Sequence, residues 1–503
     1  MGNAKGQSGA EGFIARYGLW DAQQHGLIQD CLDQIQKEQI TLIRLIWCDT
    51  HGITRAKAVT PQAFKSVLVN GYSIGAGSWS LDASGGRVFQ TFTAGGGMGL
   101  PEMTGSPNLI LVPDLTSFRL ATWAPGVALV VCDDYFRDGR PFYFSPRHIL
   151  RKALAPLVDR GITPLIGLEI EWTLMRLSDP GAITAQEVNG PGQRGTPPNC
   201  LPAEPGFSYD SETNLDRVQS LLTTLTTHYS DLDLGLRSLD NELGAGQIEC
   251  TFFPKPAWEA ATDALIFRSA TRQICRRHGH LASFMTFPDG AGLFPSGWHL
   301  HLSLTDMKTG RNLFMPVEGE TCLSPMGMNF LAGQLAHAQE GIAFATPSVN
   351  GYRRFRMNSL APDRVSWNVQ HRGVMLRVLG GAQDPASRIE NRVGEPCANP
   401  YLFIAAQIAA GLDGMERNLT PWAADNNPYQ SDRPMLPTSL KEALDGLQQS
   451  SFYRQTFGDI YIDYFLRMKR AEVARYEAFL NADRVDPTKG VTAWEMREYF
   501  DAF

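Results

Sequence analysis

The stretch Gly-Leu-Glu-Ile-Glu-Trp at residues 167–172 alternates apolar and acidic side chains. Alternate side chains of a β-strand point to opposite faces, so this pattern predicts a strand with Glu169 and Glu171 on one face. Two neighbouring carboxylates repel each other and ionise together only beside a strong cation. A divalent metal ion is the simplest such cation, and carboxylate oxygens suit Mg²⁺ or Mn²⁺. The alternative is a half-exposed strand with an ordinary polar face.

The bulk composition is that of a globular enzyme. The chain has 503 residues, of which 43% are hydrophobic and 19% charged, which allows a large core in more than one domain. A net charge of -7 without a basic tract argues against a nucleic-acid partner. The most apolar helical run, Leu402 to Met415, is too short to span a membrane. The 8 cysteines form no CxxC pair, which is typical of reduced thiols, so we expect a cytoplasmic protein.

The first part of the chain is rich in short strands and small residues. Residues 1–11 predict a disordered lead, and a helical pattern continues to about Lys37. Small residues dominate from 73 to 99, which predicts long loops. Four segments have the composition of strands: 39–47, 53–59, 109–113 and 128–132. We expect a domain boundary near residue 135, before a helix that begins at Pro146.

A second pair of carboxylates follows the acidic strand, beyond a Gly/Pro-rich loop or flap at 178–211. The sequence Asn-Glu-Leu-Gly-Ala-Gly-Gln-Ile-Glu at 241–249 places Glu242 and Glu249 on either side of a turn of small residues. Its glycines allow close backbone approach, so a hairpin here can direct both carboxylates at one metal ion. Taken alone, the segment could equally be an ordinary solvated hairpin.

Two histidines occupy another alternating stretch, Gly-Trp-His-Leu-His-Leu-Ser at 297–303. The alternation predicts that His299, His301 and Ser303 share one face of a strand. One imidazole among carboxylates is a common way to complete a magnesium or manganese site in a phosphoryl-transfer enzyme. The alternative is a sheet face on which both histidines have ordinary hydrogen-bond partners.

Arginine is concentrated between Arg353 and Arg392, where 8 arginines and no lysine occur in 40 residues. A solvated face would mix the two residue types, whereas arginine alone indicates bidentate recognition of phosphate or carboxylate groups. Glu390 lies inside this cluster, in the alternating stretch Arg-Ile-Glu-Asn-Arg at 388–392. It is therefore either part of an ion-pair network or a metal ligand beside bound phosphate. Together the clusters describe a site for a nucleoside triphosphate, metal ions and an acidic substrate.

Five motifs in this order resemble those of the glutamine synthetase family, and the resemblance runs from about residue 40 to 495. The motifs are Gly-Leu-Glu-Ile-Glu at 167–171, Asn-Glu-Leu-Gly-Ala-Gly-Gln-Ile-Glu at 241–249, Ser-Gly-Trp-His-Leu-His-Leu-Ser-Leu at 296–304, Asn-Gly-Tyr-Arg-Arg at 350–354, and Arg-Ile-Glu-Asn-Arg with Ala-Asn-Pro-Tyr-Leu within 388–402. The resemblance implies an α+β fold in which an N-terminal β-grasp domain precedes a catalytic domain with a curved antiparallel sheet. The expected limits are 1–37 for the lead and helix, 38–135 for the β-grasp domain and 136–503 for the catalytic domain.

The resemblance also implies a role for each motif residue. One divalent ion, Mg²⁺ or Mn²⁺, is expected at Glu171, Glu242 and Glu249, and another at Glu169, His299 and Glu390. The residues expected to contact glutamate are Glu171, Gly297, Arg354 and Arg392. Those expected to contact ATP are His301, Ser303, Arg372, Arg377 and Arg388. The expected catalytic residues are Arg354, Arg372 and Glu390. A homo-oligomeric double ring, a dodecamer with sites shared between subunits, is expected as well.

Several positions depart from the ammonia-using members that the chain resembles. The aspartate that binds ammonium in those members falls at or near Gly75, and Asp82 is the nearest acid. Leu360 takes the place of a second carboxylate, and Phe294 and Phe287 stand where those members have an asparagine-glycine pair and a lysine. An ammonium ion without acids is costly to bury, whereas a neutral aromatic amine gains from an apolar pocket. We therefore expect Leu360, Phe294 and Phe287 to line an amine pocket.

These observations predict an ATP-dependent glutamate–amine ligase that forms a γ-glutamyl amide through γ-glutamyl phosphate, with an aniline-like amine. The alternatives are a γ-glutamylpolyamine or γ-glutamyl-alkylamide synthetase, and an ammonia-using glutamine synthetase. A catalytically silent structural relative is a further alternative. Retention of all six metal positions argues against it, because a silent relative has no reason to keep mutually repelling acids.

Overall fold

The computed structural model describes residues 12–181, 183–319, 322–357 and 359–503, so the predicted disordered lead at 1–11 lies outside the described residues. The chain divides into two compact units. The first unit holds the residues up to Trp47, Thr54–Ser78 and Thr91–Ser145, and the second holds Cys48–Ile53, Trp79–Gln90 and Pro146–Phe503. The domain limits predicted from the sequence, 1–37, 38–135 and 136–503, stay a prediction.

The first unit contains a six-stranded sheet with strand order β2-β1-β6-β4-β3 and with β5 paired to β6, counted over the described residues. Strands β1 and β6 are parallel, whereas β4 is antiparallel to both β3 and β6. The elements are α1 (Phe13–Arg16), α2 (Ala22–Lys37), β1 (Leu42–Cys48), β2 (Thr54–Val59), α3 (Pro61–Asn70), β3 (Tyr72–Gly75), β4 (Asn108–Pro113), β5 (Arg119–Leu120) and β6 (Val127–Tyr135). The four segments predicted as strands correspond to β1, β2, β4 and β6, in the predicted β-grasp fold.

The second unit is built on a larger curved sheet with strand order β14-β15-β16-β13-β7-β10-β9, to which β8, β11 and β12 add by pairing with β7. Its strands are β7 (Ile162–Leu177), β8 (Cys200–Pro202), β9 (Leu236–Asn241), β10 (Gln247–Phe252), β11 (Lys255–Pro256), β12 (His280–Ser283), β13 (Trp298–Asp306), β14 (Trp367–Val369), β15 (Leu376–Leu379) and β16 (Arg388–Gly394). Except for β14 and β15, the paired neighbours run antiparallel. The alternating stretch at 167–172 lies within β7, as predicted.

The helices of the second unit pack against this sheet and against one another. They are α4 (Pro146–Val158), α5 (Glu212–Asp231), α6 (Ala257–Arg277), α7 (Pro325–Ala336), α8 (Ala338–Ala345), α9 (Pro400–Glu416), α10 (Leu440–Gln449), α11 (Ser451–Phe457), α12 (Asp459–Asp483) and α13 (Ala493–Tyr499). Leu168, Ile170 and Trp172 alternate with the acids of β7 and are buried in the core. Among the described residues, no helix has the length and apolarity needed to cross a membrane.

Glycines allow α7 and α9 to pack in close contact. A Cβ atom added at Gly333 of α7 would lie 2.1 Å from the carbonyl oxygen of Ala410 in α9. A Cβ atom added at Gly414 of α9 would lie 2.1 Å from the carbonyl oxygen of Asn329 in α7. Neither contact can be relieved by a rotamer change, because both obstructing atoms belong to the backbone. The two helices can therefore approach this closely only because neither position carries a side chain.

Replacement of Gly333 by alanine should destabilise the second unit by about 1–3 kcal/mol, because the helices must separate. Gly446→Ala is the matched control, since Gly446 also lies in a helix but its added Cβ would meet the nearest atom at 3.5 Å. The control should be neutral or stabilising by up to about 1 kcal/mol, because alanine favours helix. Urea unfolding followed by circular dichroism measures both. Equal stability of Gly333→Ala and wild type would contradict the close packing.

Candidate active site

The pairing register of the large sheet gathers the acidic and histidine side chains. Glu249 of β10 lies directly opposite Glu171 of β7, and His299 of β13 lies directly opposite Glu169. On the other side of β13, Glu390 of β16 is paired with His301. Residues that are far apart in the chain thus become cross-strand neighbours, whose Cβ atoms lie about 4.5–5.5 Å apart in antiparallel sheets.

His299 lies at the centre of two groups of possible metal-ligating atoms. Ligand atoms of Glu169, His299 and Glu390 all lie within 4.8 Å of one another, and the same holds for Glu171, Glu249 and His299. Glu242 is outside both groups, although it lines the same cavity. The predicted trio of Glu169, His299 and Glu390 is therefore brought together, whereas Glu171 and Glu249 are grouped with His299 and not with Glu242.

The electrostatics of these acids fit a bound cation. Burial, followed by the charges of Glu169, Glu171 and Glu242, raises the pKa of Glu249 to about 10. Burial and the charge of Glu242 raise the pKa of Glu171 to about 8. Among the described residues, no hydrogen bond reaches the Glu249 side chain. A divalent cation would let both groups ionise, and several carboxylates with one imidazole suit a hard metal ion.

Glu169 is held by both histidines. Nδ1 of His299 lies 2.5 Å from Oε1 of Glu169, and Nε2 of His301 lies 3.1 Å from Oε2. Nε of Arg388 donates a hydrogen bond to Nδ1 of His301 over 3.1 Å. Since an arginine nitrogen only donates, Nδ1 of His301 must accept, and its proton lies on Nε2, facing the carboxylate. Arg388 thereby fixes the tautomer with which His301 orients Glu169.

Glu171 is positioned by two hydrogen-bond donors whose role in holding it the sequence analysis did not predict. The backbone N–H of Gly297 donates to Oε2 of Glu171 over 2.8 Å, and Nε2 of Gln247 donates to the same oxygen over 3.1 Å. Gln247 also donates to Ser296 and accepts from the N–H of Gly244, so it joins the hairpin turn to β13. Its position two residues before Glu249 in the motif was its sequence signal for this role.

Glu204 supports the turn of the same hairpin. It is buried, and its carboxylate accepts hydrogen bonds from the backbone N–H groups of Gly206, at 2.7 Å, and Gly246. Gly246 has a φ of +66°, and a Cβ atom there would lie 2.3 Å from the carbonyl oxygen of Leu174. Glu204 therefore fixes a turn that only glycine can form. Nothing in the Gly/Pro-rich loop sequence distinguished this glutamate from a solvated one.

Glu390 pairs with two arginines. One of them, Arg392, flanks it in its own strand, and the other, Arg377, belongs to the neighbouring strand β15. Nη1 of Arg392 donates to Oε1 of Glu390 over 2.5 Å, and Nη1 of Arg377 donates to Oε2 over 3.1 Å. Arg392 also donates to the carbonyl oxygen of Leu360 over 3.3 Å. Burial alone would raise the pKa of Glu390, but the Arg392 charge holds it below its ordinary value. The ion-pair network expected at Glu390 is thus present, with Arg377 in the position expected of Arg388.

Arg354 is buried beneath the same site. Its guanidinium donates to the backbone carbonyls of Gly394, at 2.8 Å, and Arg392, at 2.6 Å. Burial lowers the pKa of Arg354 to about 10, so it stays charged at neutral pH. A Cβ atom at Gly297 would lie 3.0 Å from Nη2 of Arg354, so the glycine makes room for this guanidinium.

Two cavities contain most of the predicted site residues. A cavity of about 470 Å³ is lined by residues that include Glu169, Glu171, Glu242, Glu249, Phe294, His299, Arg354, Leu360, Arg372, Arg377 and Arg392. A second cavity of about 520 Å³ is lined by residues that include Glu169, Arg237, Phe253, His301, Ser303 and Arg388. We call these the acidic cavity and the histidine cavity. Glu169 lines both, so the acidic cavity and the cavity of His301, Ser303 and Arg388 meet at one side chain.

The residues expected to bind the amine are only partly brought together. Leu360 and Phe294 line the acidic cavity, whereas Phe287 does not and instead lies 5.2 Å below the guanidinium of Arg356. Asp82, the acid nearest to the lost ammonium-binding aspartate, is buried in an ion pair with Arg475 at 2.9 Å. Among the described residues, the Leu360 side of the acidic cavity therefore carries no acid from these positions.

Comparison with known proteins decides the family. The model of the glutamine synthetase catalytic domain matches residues 144–499. The chain belongs to the glutamine synthetase family. Enzymes of this family use glutamate, ATP and an amine or ammonia, and the chain is accordingly an ATP-dependent carbon–nitrogen ligase.

Relatives within the family include enzymes named for amines. The chain is 40% identical over 494 residues to a γ-glutamylanilide synthase of Acinetobacter sp.. This alignment covers 97% of this chain and 98% of that protein. It is 30% identical to a glutamate–isopropylamine ligase of Pseudomonas sp., with 93% of this chain and 97% of that protein covered. Among solved structures, a GmaS complex with ADP has a TM-score of 0.73 and 26% identity, and covers 93% of this chain and 99% of that one.

Glu204→Ala should weaken binding of Mn²⁺ by about 10- to 100-fold, because the hairpin that carries Glu242 and Glu249 loses its support. Isothermal titration of the metal-free protein with Mn²⁺ measures the affinity. Glu212→Ala is the matched control, since Glu212 is an exposed glutamate at the start of α5. Wild-type affinity in Glu204→Ala would show that the hairpin keeps its geometry without this carboxylate.

The metal-free protein should become less stable as the pH rises from 6 to 8. The raised pKa of Glu249, about 10, means that the folded state keeps a proton that the unfolded state has lost. One such proton lowers the free energy of unfolding by roughly 1 kcal/mol for each pH unit. Urea unfolding at several pH values measures the slope. Glu249→Gln, or saturation with Mn²⁺, should flatten it, and an unchanged slope in Glu249→Gln would refute the assignment.

Proposed function

We propose that this enzyme joins the γ-carboxylate of glutamate to a neutral aromatic amine of the aniline type. The observation that carries the proposal is the presence of uncharged side chains in the lining of the acidic cavity. Phe294, Pro295, Leu360 and Ala361 are among its lining residues, and none of these four side chains carries a charge. A protonated amine would need a carboxylate partner when it is desolvated, whereas aniline is neutral near pH 7 and gains from apolar contact.

The reaction follows in two steps. The γ-carboxylate of glutamate takes the γ-phosphoryl group of ATP, and ADP leaves. The amine nitrogen then attacks the acyl carbon, phosphate leaves, and the nitrogen loses one proton. An aniline nitrogen carries a free electron pair at neutral pH, so it needs no base to remove a proton before it attacks. The absence of acids at the positions of Gly75 and Leu360 is consistent with such a nucleophile.

The two cavities support a division of roles. Arg354 and Arg392 are assigned to glutamate and its acyl phosphate, together with Glu171 and Gly297. ATP is assigned to the histidine cavity through His301, Ser303 and Arg388, with Arg372 and Arg377 near the phosphates. The ADP in the related GmaS structure supports a nucleotide site in this fold. The six carboxylate and imidazole side chains at Glu169, Glu171, Glu242, Glu249, His299 and Glu390 are assigned to Mg²⁺ or Mn²⁺, which when bound offset phosphate charge.

The relatives support the same substrate class. The similarity to a γ-glutamylanilide synthase, at 40% identity over nearly the whole chain, favours an aromatic amine. The similarity to a glutamate–isopropylamine ligase, at 30% identity, favours an alkylamine as the second candidate. The cavity favours the aromatic amine, because an alkylamine is protonated near pH 7 and would find no carboxylate at Leu360.

We further propose a cytoplasmic homo-oligomer with sites shared between subunits, a dodecameric double ring. No disulfide joins any of the 8 cysteines, all of which lie among the described residues, and this fits a reducing compartment. The glycine-rich segment 73–99 suits a loop that reaches a neighbouring subunit, as the family resemblance implies. Sedimentation of the active enzyme tests the assembly.

Leu360→Glu should shift the preference from aniline towards ammonium and alkylamines. The carboxylate removes apolar contact with the ring, which costs about 1–3 kcal/mol in transition-state binding, and pairs with a protonated amine. Phosphate release with ATP and glutamate measures kcat/KM for aniline, isopropylamine and ammonium. Leu360→Gln is the matched control, because glutamine has nearly the shape of the glutamate in Leu360→Glu but carries no charge. A wild-type enzyme that ignores aniline but uses isopropylamine would exclude the aromatic substrate.

A further inference from the structure

The short 3₁₀ turn Asn350–Arg354 carries Arg354, the residue assigned to glutamate and its acyl phosphate. A 3₁₀ helix has three residues per turn, so side chains three positions apart lie on the same side of its axis. Asn350 and Arg353 are such a pair, whereas Arg354 lies about a third of a turn further round. The turn therefore has one side that carries Arg354 and another that carries the pair.

Glu495 of α13 contacts both members of the pair. Its Oε1 accepts hydrogen bonds from Nε of Arg353, at 2.5 Å, and from Nδ2 of Asn350, at 2.9 Å. Its Oε2 accepts from Nη2 of Arg353 over 2.7 Å, so the carboxylate and the guanidinium form a bidentate pair. Glu495 is buried, and removal of one partner of a buried ion pair leaves the other without compensation. The pair side of the turn is thus fixed to α13.

Arg354 contacts a different element, the end of β16. Its guanidinium donates hydrogen bonds to two backbone carbonyl groups there. Glu395, which follows β16, accepts from the N–H and the hydroxyl group of Ser348 over 2.7 Å each, just before the turn. A rotation of the turn about its axis would move Arg354 relative to β16, and the contacts with Glu495 oppose that rotation. The position of the Arg354 guanidinium therefore depends on a carboxylate of α13.

Asn350 extends the same network to the loop that precedes Gly297. Oδ1 of Asn350 accepts from the N–H of Phe287 over 2.7 Å, and Nδ2 donates to the carbonyl oxygen of Phe287 over 3.0 Å. The N–H of Ser296 closes this loop by donating to the carbonyl oxygen of Thr286 over 2.7 Å. Gly297, which is also assigned to glutamate, follows directly. The carboxylate of α13 is thus connected to two elements that are expected to bind glutamate.

We propose that Glu495 is a positioning residue, which sets the place where Arg354 meets glutamate. It acts through Asn350 and Arg353 and not by contact with the substrate. This inference rests on the proposed assignment of Arg354 to glutamate, and it is independent of which amine the enzyme uses. A guanidinium pairs with a carboxylate in a bidentate manner only when the two planes are aligned, so a small displacement of Arg354 lowers the affinity for glutamate.

Glu495→Gln tests this role. Glutamine can still complete the capping box that Glu495 forms with Thr492 at the start of α13. It offers one acceptor oxygen instead of two, however, and no charge to Arg353. We expect KM for glutamate to rise about tenfold, while KM for ATP and kcat change by less than about twofold. Phosphate release measures these constants with Mg²⁺ and with whichever of aniline, isopropylamine or ammonium wild type uses best.

Glu498→Gln is the matched control. Glu498 is also buried on α13, but the hydrogen-bond partners of its side chain are Arg475, at 2.5 Å, and Ser84, at 2.6 Å. Both variants should lower Tm, because each weakens a buried ion pair, but only Glu495→Gln should raise KM for glutamate. Arg353→Lys tests the same pair from its other side and carries the test if Glu495→Gln does not fold. Lysine keeps the charge without the bidentate geometry, so KM for glutamate should rise here too.

Arg354→Gln separates the inference from the assignment on which it rests. Its affinity for glutamate can be followed without turnover, by thermal shift in the presence of ADP and Mg²⁺. If Arg354→Gln weakens glutamate binding but neither Glu495→Gln nor Arg353→Lys does, the positioning role is wrong and the assignment of Arg354 stands. An equal rise in KM for ATP, or an equal effect of Glu498→Gln, also overturns the role, because the damage would then be general. If Arg354→Gln binds glutamate as wild type does, the assignment fails and the positioning role fails with it.

Discussion

Repulsion between buried carboxylates is the constraint on which the site depends. The cross-strand register puts Glu171 beside Glu249 and Glu169 beside His299, in a sheet whose other face is packed by helices. Burial and like charge raise the pKa of both Glu171 and Glu249, so these carboxyl groups resist ionisation in the folded chain. A bound cation would allow both to ionise. The metal-free protein is thus less stable because of the groups that would offset the negative charge of bound phosphate through a metal ion.

The neighbouring residues keep this unfavourable arrangement in place. Gln247 and the N–H of Gly297 fix one oxygen of Glu171, while Glu204 fixes the turn that leads to Glu249. Such outer contacts orient metal-ligating groups and are needed because the ligands repel each other. The hairpin at 241–249 is therefore held as one unit.

Arg392 connects the chemistry to the amine side of the cavity. It pairs with Glu390 through one nitrogen and donates to the carbonyl oxygen of Leu360 through another. Leu360 has a left-handed backbone, with φ of +61°, so this contact helps to hold a strained residue at the opening. The place where ammonia-using relatives have an acid is thus an apolar side chain fixed by the same arginine that contacts the proposed metal ligand. Under the proposed function, this exchange of charge for apolar surface favours neutral amines.

The sequence by itself determined the periodic features. Alternation at 167–172, 297–303 and 388–392 defined strands and the face on which their polar side chains lie, because the side-chain period of a strand is local. The ordered motifs identified the family resemblance and the six candidate ligands, and the substituted position of Leu360 indicated a different amine. Both the strands and the α+β class are confirmed.

Only the tertiary structure decided which residues meet. A strand pattern defines a face but not a partner, so the pairing of Glu249 with Glu171, and of Arg377 instead of Arg388 with Glu390, depends on sheet order and register. Glu204 lies in an irregular segment without periodicity, and it contacts backbone N–H groups, which carry no sequence signal. Phe287, expected in the amine pocket, lies beneath Arg356 instead, because loop geometry and not residue type places a side chain at a cavity.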